Sequence, residues 1–152
     1  AGNRTTYYID KYQFETRPEI LDALADVLLP LLPPSDTYDR LAAPELGAVP
    51  IAAVLATRCG KPFVIVKKQT KEYGTQKLIE GAFSAGDRMV IIEDILATGG
   101  AALRALDVLR GLDVTVSHII GVINREEGAF ENITAAGVIP SALFTTTDLR
   151  GC

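Results

Sequence analysis

The chain has 152 residues, with 15 Lys plus Arg against 19 Asp plus Glu, a net charge of −4 and 48% hydrophobic residues. A chain of about 150 residues is expected to form one domain, and this apolar content can build a sizeable core. Disorder, a collagen-like chain and a basic nucleic-acid coat are therefore excluded. The charge is unevenly placed: five of the six lysines (Lys61, Lys67, Lys68, Lys71 and Lys77) fall between residues 61 and 77, where the only acid is Glu72.

Uninterrupted apolar runs such as Ile51–Ala56 and Met89–Ile92 fall far short of the roughly 18 residues of a membrane helix, so no membrane partner is expected. The start, AGNRTTYYID, does not read as a signal peptide. It begins on Ala rather than Met, so a preceding segment is expected. Cys59 and Cys152 match no zinc or CxxC spacing, and a reduced, cytoplasmic setting is the simplest reading. One histidine, His118, excludes any metal site needing two.

In chain order, Thr16-Arg17-Pro18-Glu19 reads as a capping box with Pro in the first turn. Ile20, Leu21, Leu24, Val27, Leu28 and Leu31 continue it at helical spacing, and Pro33-Pro34 ends it. Leu46 to Cys59 reads as a second helix closed by Gly60. Pro62–Val66, Met89–Ile92, Val114–Ile123 and Ile139–Phe144 are continuous apolar runs. Such runs suit strands buried on both faces, as in a parallel sheet. Helical patterns at Gly100–Leu112 and Phe130–Ala136, before Gly137, lie between them. The alternation predicts an α/β doubly wound, mainly parallel sheet flanked by helices. Ligands of such folds bind beyond the carboxyl ends of the strands, so the segments after each strand hold the functional candidates.

After Met89–Ile92 come Glu93 and Asp94, then Ile95, Leu96, Ala97, Thr98, Gly99, Gly100 and Ala101 opening a helix. Backbone N–H groups at a helix start favour an anion, and glycines let it approach closely. The two carboxylates would repel that anion, so sugar hydroxyls or magnesium are their natural partners. A ribose 5-phosphate fits both halves. The bland alternative is an ordinary turn with a solvated acidic pair. No GxxxxGK[ST] and no GxGxxG occurs.

After Phe63–Val66 comes the lysine segment, with Lys67, Lys68, Lys71, Tyr73 and Gly74. Crowded like charges predict a loop that is mobile when empty, and lysines suit a pyrophosphate. A solvated hairpin is the alternative. Lys61 and Lys77 read as solvated flanks. Ala43–Ala48, containing Glu45, Leu46 and Gly47, is a weak anion-site signal at a helix start. Arg125 in Asn124-Arg-Glu-Glu-Gly128 can hold a planar acidic group through its guanidinium fork or simply pair with Glu126 or Glu127. His118, inside an apolar strand, reads as structural.

VIIEDILATGG (90–100) resembles the 5-phosphoribosyl-1-pyrophosphate (PRPP) motif of the type I phosphoribosyltransferases. VKKQTKEYGTQKLIEG (66–81) resembles the loop of orotate phosphoribosyltransferases, and TYYIDKYQF (6–14), PELGAVP (44–50) and NREEG (124–128) fit the same subfamily. The resemblance implies a phosphoribosyltransferase domain over 1–152, with 1–15 in a small N-terminal hood. It places an N-terminal helix and a substrate-contacting lysine upstream of Ala1.

The resemblance further implies that Glu93 and Asp94 bind the ribose hydroxyls and that Ile95 to Ala101 wrap the 5-phosphate. Glu45, Leu46 and Gly47 face pyrophosphate. Lys67, Lys68, Lys71 and Tyr73 reach it partly in a neighbouring subunit, as in a homodimer with a shared active site. Arg125, Ala97 and Tyr8 lie at the base. Lys68, Lys71 and Asp94 are the implied catalytic residues. Mg²⁺ is the implied cofactor, held through the substrate, with Asp94 the candidate for any direct contact. Lys67 stands where arginine is usual, Tyr73 where histidine is common, and Ala97 where threonine usually contacts orotate. The implied reaction is transfer of ribose 5-phosphate from PRPP to orotate, with no nucleic-acid partner. Another base, purine or uracil, and a non-enzymatic PRPP sensor are the alternatives.

Overall fold

The computed structural model describes residues 10–68 and 77–151. Tyr8, Lys71 and Tyr73 lie outside the described residues. Two short helical pieces lead in: α1 (Lys11–Glu15), opened by the Asp10 side chain accepting from Tyr12 N–H, and α2 (Pro18–Leu28). The Thr16 capping box does not form. Arg17 is the N-cap of α2, without a side-chain cap, while the Thr16 hydroxyl donates backwards to the Tyr12 carbonyl at 2.5 Å. Leu29–Leu31 continues α2 only as a 3₁₀ turn, because Pro30 lacks the N–H that an α-helix would use.

Strand β1 (Arg40–Pro44) follows, then α3 (Ala48–Cys59), β2 (Phe63–Val66), β3 (Ile79–Glu80) and β4 (Arg88–Leu96). The chain continues with α4 (Gly100–Gly111), β5 (Thr115–Asn124), α5 (Ala129–Ala135), β6 (Ile139–Thr145) and α6 (Thr146–Arg150). Six strands form one sheet in the order β3-β2-β1-β4-β5-β6. Every pairing is parallel except β2 with the two-residue β3. The mainly parallel, doubly wound expectation is met, and α3 closes on Gly60 in the left-handed region (φ 71) as the sequence predicts. Among the described residues no helix is long and apolar enough to cross a membrane.

Successive side chains of a strand face opposite ways, and here both faces are covered. Met89 and Ile91 join Ala42, Val64, Leu106 and Ile133 beneath α4 and α5. Val90 and Ile92 join Leu41, Leu28, Ile51 and Leu55 beneath α2 and α3. Apolar residues on both faces of the central strands account for the mean hydropathy of +0.22.

Strand β1 has no counterpart among the sequence-predicted strands, yet it is central, pairing with β2 on one side and β4 on the other. The chain runs from β1 outward to β2 and later returns to the other side of β1 as β4. The reversal of strand order therefore lies between β1 and β4. The segments after these two strands flank the crevice where such sheets bind ligands.

Candidate active site

Strand β4 is longer than its apolar run suggests. Glu93 and Asp94 do not follow the strand but belong to it, and pairing with β5 continues through Ile95–Ile123 and Leu96–Asn124. Both carboxylates are consequently buried, at 6% and 4% exposure. Glu93 accepts from the Asp94 N–H at 3.0 Å, and Asp94 Oδ1 accepts from the Ile95 N–H at 2.8 Å.

Asp94 has further partners from α1. Lys11 Nζ lies 2.7 Å from Asp94 Oδ2. Glu15, 6% exposed, stands beside the same carboxylate next to Gly47. Three carboxyl groups close together in a poorly hydrated space cannot all carry charge. Burial, with the neighbouring Asp94, pushes Glu93 up to about 9 and Glu15 up to about 8. Burial also opposes charge on Asp94, but hydrogen bonds from Glu93, Lys11 and Glu15 outweigh it and hold its pKa below the usual value. Burial likewise opposes the Lys11 ammonium, and Asp94 more than compensates, raising its pKa. Asp94 is the ionised member of the cluster.

The turn after β4 opens a helix N-terminus on glycines. Gly99 adopts φ 88 as the N-cap of α4, a conformation that disfavours a side chain. It lies against α5, where an added Cβ would stand 3.4 Å from Ala129 Cα. The Thr98 hydroxyl accepts from the Gly100 N–H at 3.3 Å, and Asn132 Nδ2 donates to the Thr98 carbonyl at 2.9 Å, pinning the turn to α5. An open pocket of about 210 Å³ is lined by Glu93, residues 95–102 and Arg104. All seven residues expected to wrap the phosphate (95–101) line it. Arg104, not singled out from the sequence, reaches back to Gly100, where an added Cβ would stand 3.3 Å from its guanidinium. Side chains of a helix lean toward its N-terminus, so four residues into α4 is a position from which an arginine serves that end.

The second segment at the crevice follows β1. Glu45 bonds back to β2 through its N–H to Val66 O, 3.0 Å, and its carboxylate accepts from the Lys68 N–H at 2.5 Å. The Glu45–Leu46 peptide is cis. The α3 helix starts at Ala48, not at the expected Leu46; Leu46 is 61% exposed, and Gly47 is buried. Gly47 closes on the acidic cluster, since a Cβ there would collide with the Asp94 carboxylate and stand 3.0 Å from Glu15 Oε2.

The pocket brings together Glu93 and residues 95–101; Asp94 does not line it and instead meets Gly47 and Lys11. Arg125 stands beside the pocket: its N–H donates to Leu96 O at 2.8 Å, and its exposed guanidinium lies 3.6 Å from Glu127 Oε2. This is the ion pair anticipated as its alternative role, loose enough to be exchanged for a ligand. Lys67 and Lys68 are exposed, and Lys67 Nζ lies 3.8 Å from Glu80 Oε1 on β3.

Lys61 is not a solvated flank. Its ammonium donates to the carbonyls of Ser35 (2.6 Å) and Tyr38 (2.9 Å) and lies over the Tyr38 ring. Lys77 is exposed, 3.6 Å from Glu80 Oε2. His118 sits partly buried within β5, its Nδ1 2.7 Å from Ser117 Oγ.

The sequence reading missed Lys11, Glu15, Arg104 and Asn132. Lys11 lies within the quoted TYYIDKYQF segment, and otherwise the two offered only their four-residue spacing after Asp10. That signal is too common to indicate a site.

Comparison with known proteins agrees with this geometry. The phosphoribosyl transferase domain family matches residues 13–141. Orotate phosphoribosyltransferase of Halobacterium salinarum is 45% identical over 148 residues, spanning 97% of this chain and 83% of that protein. The crystal structure of orotate phosphoribosyltransferase from Aeropyrum pernix superposes with a TM-score of 0.85 at 28% identity, covering 99% of this chain and 85% of that one. The orotate phosphoribosyltransferase of Mycobacterium tuberculosis in complex with PRPP gives a TM-score of 0.79 at 26% identity, covering 94% and 83%. The chain belongs to the phosphoribosyltransferase family.

Proposed function

We propose that the protein transfers the ribose 5-phosphate group of PRPP to orotate, giving orotidine 5′-phosphate and pyrophosphate. The observation that carries this reading is the run of β4 into α4: two buried carboxylates, then an open turn of backbone N–H groups at a helix start. Ionised Asp94 and the Glu93 carboxyl take the ribose hydroxyls, and residues 95–101 with Arg104 take the 5-phosphate. A relative whose structure holds PRPP and relatives named for orotate support both substrates.

In the reaction the N1 atom of orotate bonds to C1 of the ribose, the C1–O bond to pyrophosphate breaks, and its electron pair leaves on the pyrophosphate. The N1 proton passes to solvent. Positive character grows on the sugar while negative charge grows on the leaving group, so placed charges do most of the catalysis. Residues 45–47 border the leaving group. Lys67, Lys68 and Lys71, with Tyr73, supply its counter-charge, partly across a homodimer interface. Arg125, beside Ala97 and Tyr8, pairs with the orotate carboxylate through its guanidinium fork.

Mg²⁺ would enter with PRPP, since this ion keeps several waters and takes few protein ligands. When bound, it neutralises charge on the departing pyrophosphate. Asp94 is the carboxylate that would make any direct contact with it. The setting proposed for this chemistry is the cytoplasm.

The deciding experiment incubates the protein with PRPP, Mg²⁺ and orotate, uracil, adenine or hypoxanthine in turn, following nucleotide formation and pyrophosphate release. Orotidine 5′-phosphate from orotate alone is expected. Turnover of another base without orotate overturns the choice of base, and PRPP binding without any turnover overturns enzymatic function.

A further inference from the structure

Asp94 would hold a ribose hydroxyl, yet its carboxylate is already served by a helix more than seventy residues earlier in the chain. Helix α1 is barely one turn long. Lys11 and Glu15 stand four residues apart on it and so share a face. That face meets Asp94. Lys11 Nζ is 2.7 Å from Oδ2, with the lysine side chain 33% and the aspartate 5% exposed. Glu15, buried behind them, has an Oε2 without a hydrogen-bond partner among the described residues. Gly47 packs against the same carboxylate.

An exposed ion pair contributes little. This one differs in that one partner is buried, where loss of a counter-ion leaves a charge poorly compensated. It also differs in place, because the aspartate is at the carboxyl end of β4, beside the 45–47 segment. Oδ1 is held by the backbone of Ile95, so Lys11 is the cation that fixes the direction of the other oxygen. Without it, no cation remains beside Oδ2 to fix its direction, and a carboxylate that turns loses its aim on a sugar hydroxyl.

We propose that Lys11 is a positioning residue of the PRPP site: its ammonium holds the Asp94 carboxylate in the orientation that receives the ribose hydroxyls. The N-terminal helix is thereby a working part of the sugar pocket and not merely a cover. The inference rests on the assignment of Asp94 to the sugar.

The test is calorimetric titration of the whole protein with PRPP and Mg²⁺ in the wild type, Lys11→Met and Lys11→Arg, with KM values for both substrates and melting temperatures. Lys11→Met is expected to weaken PRPP binding about tenfold or more while leaving the orotate KM close to wild type, with a lowered melting temperature from the uncompensated buried carboxylate. Lys11→Arg is expected to restore most of the affinity. Wild-type affinity in Lys11→Met overturns the inference. So does an equal loss for both substrates that follows a lowered melting temperature, which marks a purely structural pair. Absence of PRPP binding by the wild type would instead overturn the reading of the site beneath it.

Discussion

Gly47 packs against Asp94 with no room for a side chain: a β-carbon at position 47 would collide with the Asp94 carboxylate and stand 3.0 Å from Glu15 Oε2. The turn after β1 and the acidic end of β4 therefore share one small volume, although they are far apart in sequence. Gly47→Ala must push the carboxylate or the turn aside. Overpacking of this kind costs about 1–3 kcal/mol of stability. Because the displaced group is the proposed sugar ligand, kcat/KM for PRPP is expected to fall by about 100-fold, roughly 2.7 kcal/mol of transition-state stabilisation. Steady-state kinetics and thermal melts on one preparation check both numbers. Unchanged kinetics would remove Asp94 and the 45–47 segment from the site.

The lysines of the 61–77 segment divide by partner. Lys61 is bonded to two carbonyls, so Lys61→Met is expected to cost about 1–3 kcal/mol of stability with little change in kcat. Lys71→Ala is expected to do the opposite, lowering kcat by about 10²–10³-fold, as for other removed charge stabilisers, with the melting temperature unchanged. The pair of variants is read by melting curves alongside turnover. A Lys71→Ala enzyme of normal turnover would sink the assignment of this lysine to pyrophosphate.

Arg104 lines the pocket at the start of α4, and a charge-assisted bond to phosphate is worth about 1.5–3 kcal/mol. Arg104→Ala is expected to raise the KM for PRPP by about 10- to 100-fold, leaving the orotate KM nearly unchanged. Initial rates at varied PRPP and saturating orotate measure it. An unaltered KM for PRPP would mean that the guanidinium does not meet the phosphate.

Stability should depend on pH through the same acidic cluster. Glu15 and Glu93 carry folded pKa values of about 8 and about 9, raised by burial beside Asp94 from an ordinary 4.5. Between those limits the folded chain binds more protons than the unfolded one, so stability falls as pH rises. It is fully present below about pH 4.5 as far as these two groups are concerned and is lost on passing pH 8 to 9. Asp94 acts oppositely, its lowered pKa costing stability only in acid below 3.8. Melting temperature in magnesium-free buffer should therefore decline from pH 6 to pH 9, and Glu15→Gln should flatten the decline. An identical slope in Glu15→Gln would show that Glu15 does not carry the extra proton.

The alternation of elements was legible because strands covered on both faces must be apolar throughout. Phe63–Val66, Met89–Ile92 and Val114–Ile123 announce themselves for that reason. Strand β1 did not, although it is central. Leu41-Ala-Ala-Pro44 contains small residues without β preference and a proline that reads as a stop. Its strand character comes from pairing with β2 and β4 on either side. The two-residue β3 exists only as a partner of β2. Residues 95–101 were legible as a strand-to-helix turn because glycines before a helical pattern have a local cause.

What the sequence by itself determined is the set of local, backbone-driven features: a parallel sheet, the PRPP-like turn between β4 and α4, and an uneven lysine distribution inside an acidic chain. Which charges work together was decided only by tertiary structure. Folding buries Glu93 and Asp94 within a strand, sets Lys11 and Glu15 of a distant helix against them, and leaves Gly47 as the lid of the cluster. It also draws Lys61 away from its neighbours in sequence to a structural post on two carbonyls. Electrostatic partnership depends on separations of a few ångströms and on exclusion of water, and neither is encoded in spacing along the chain.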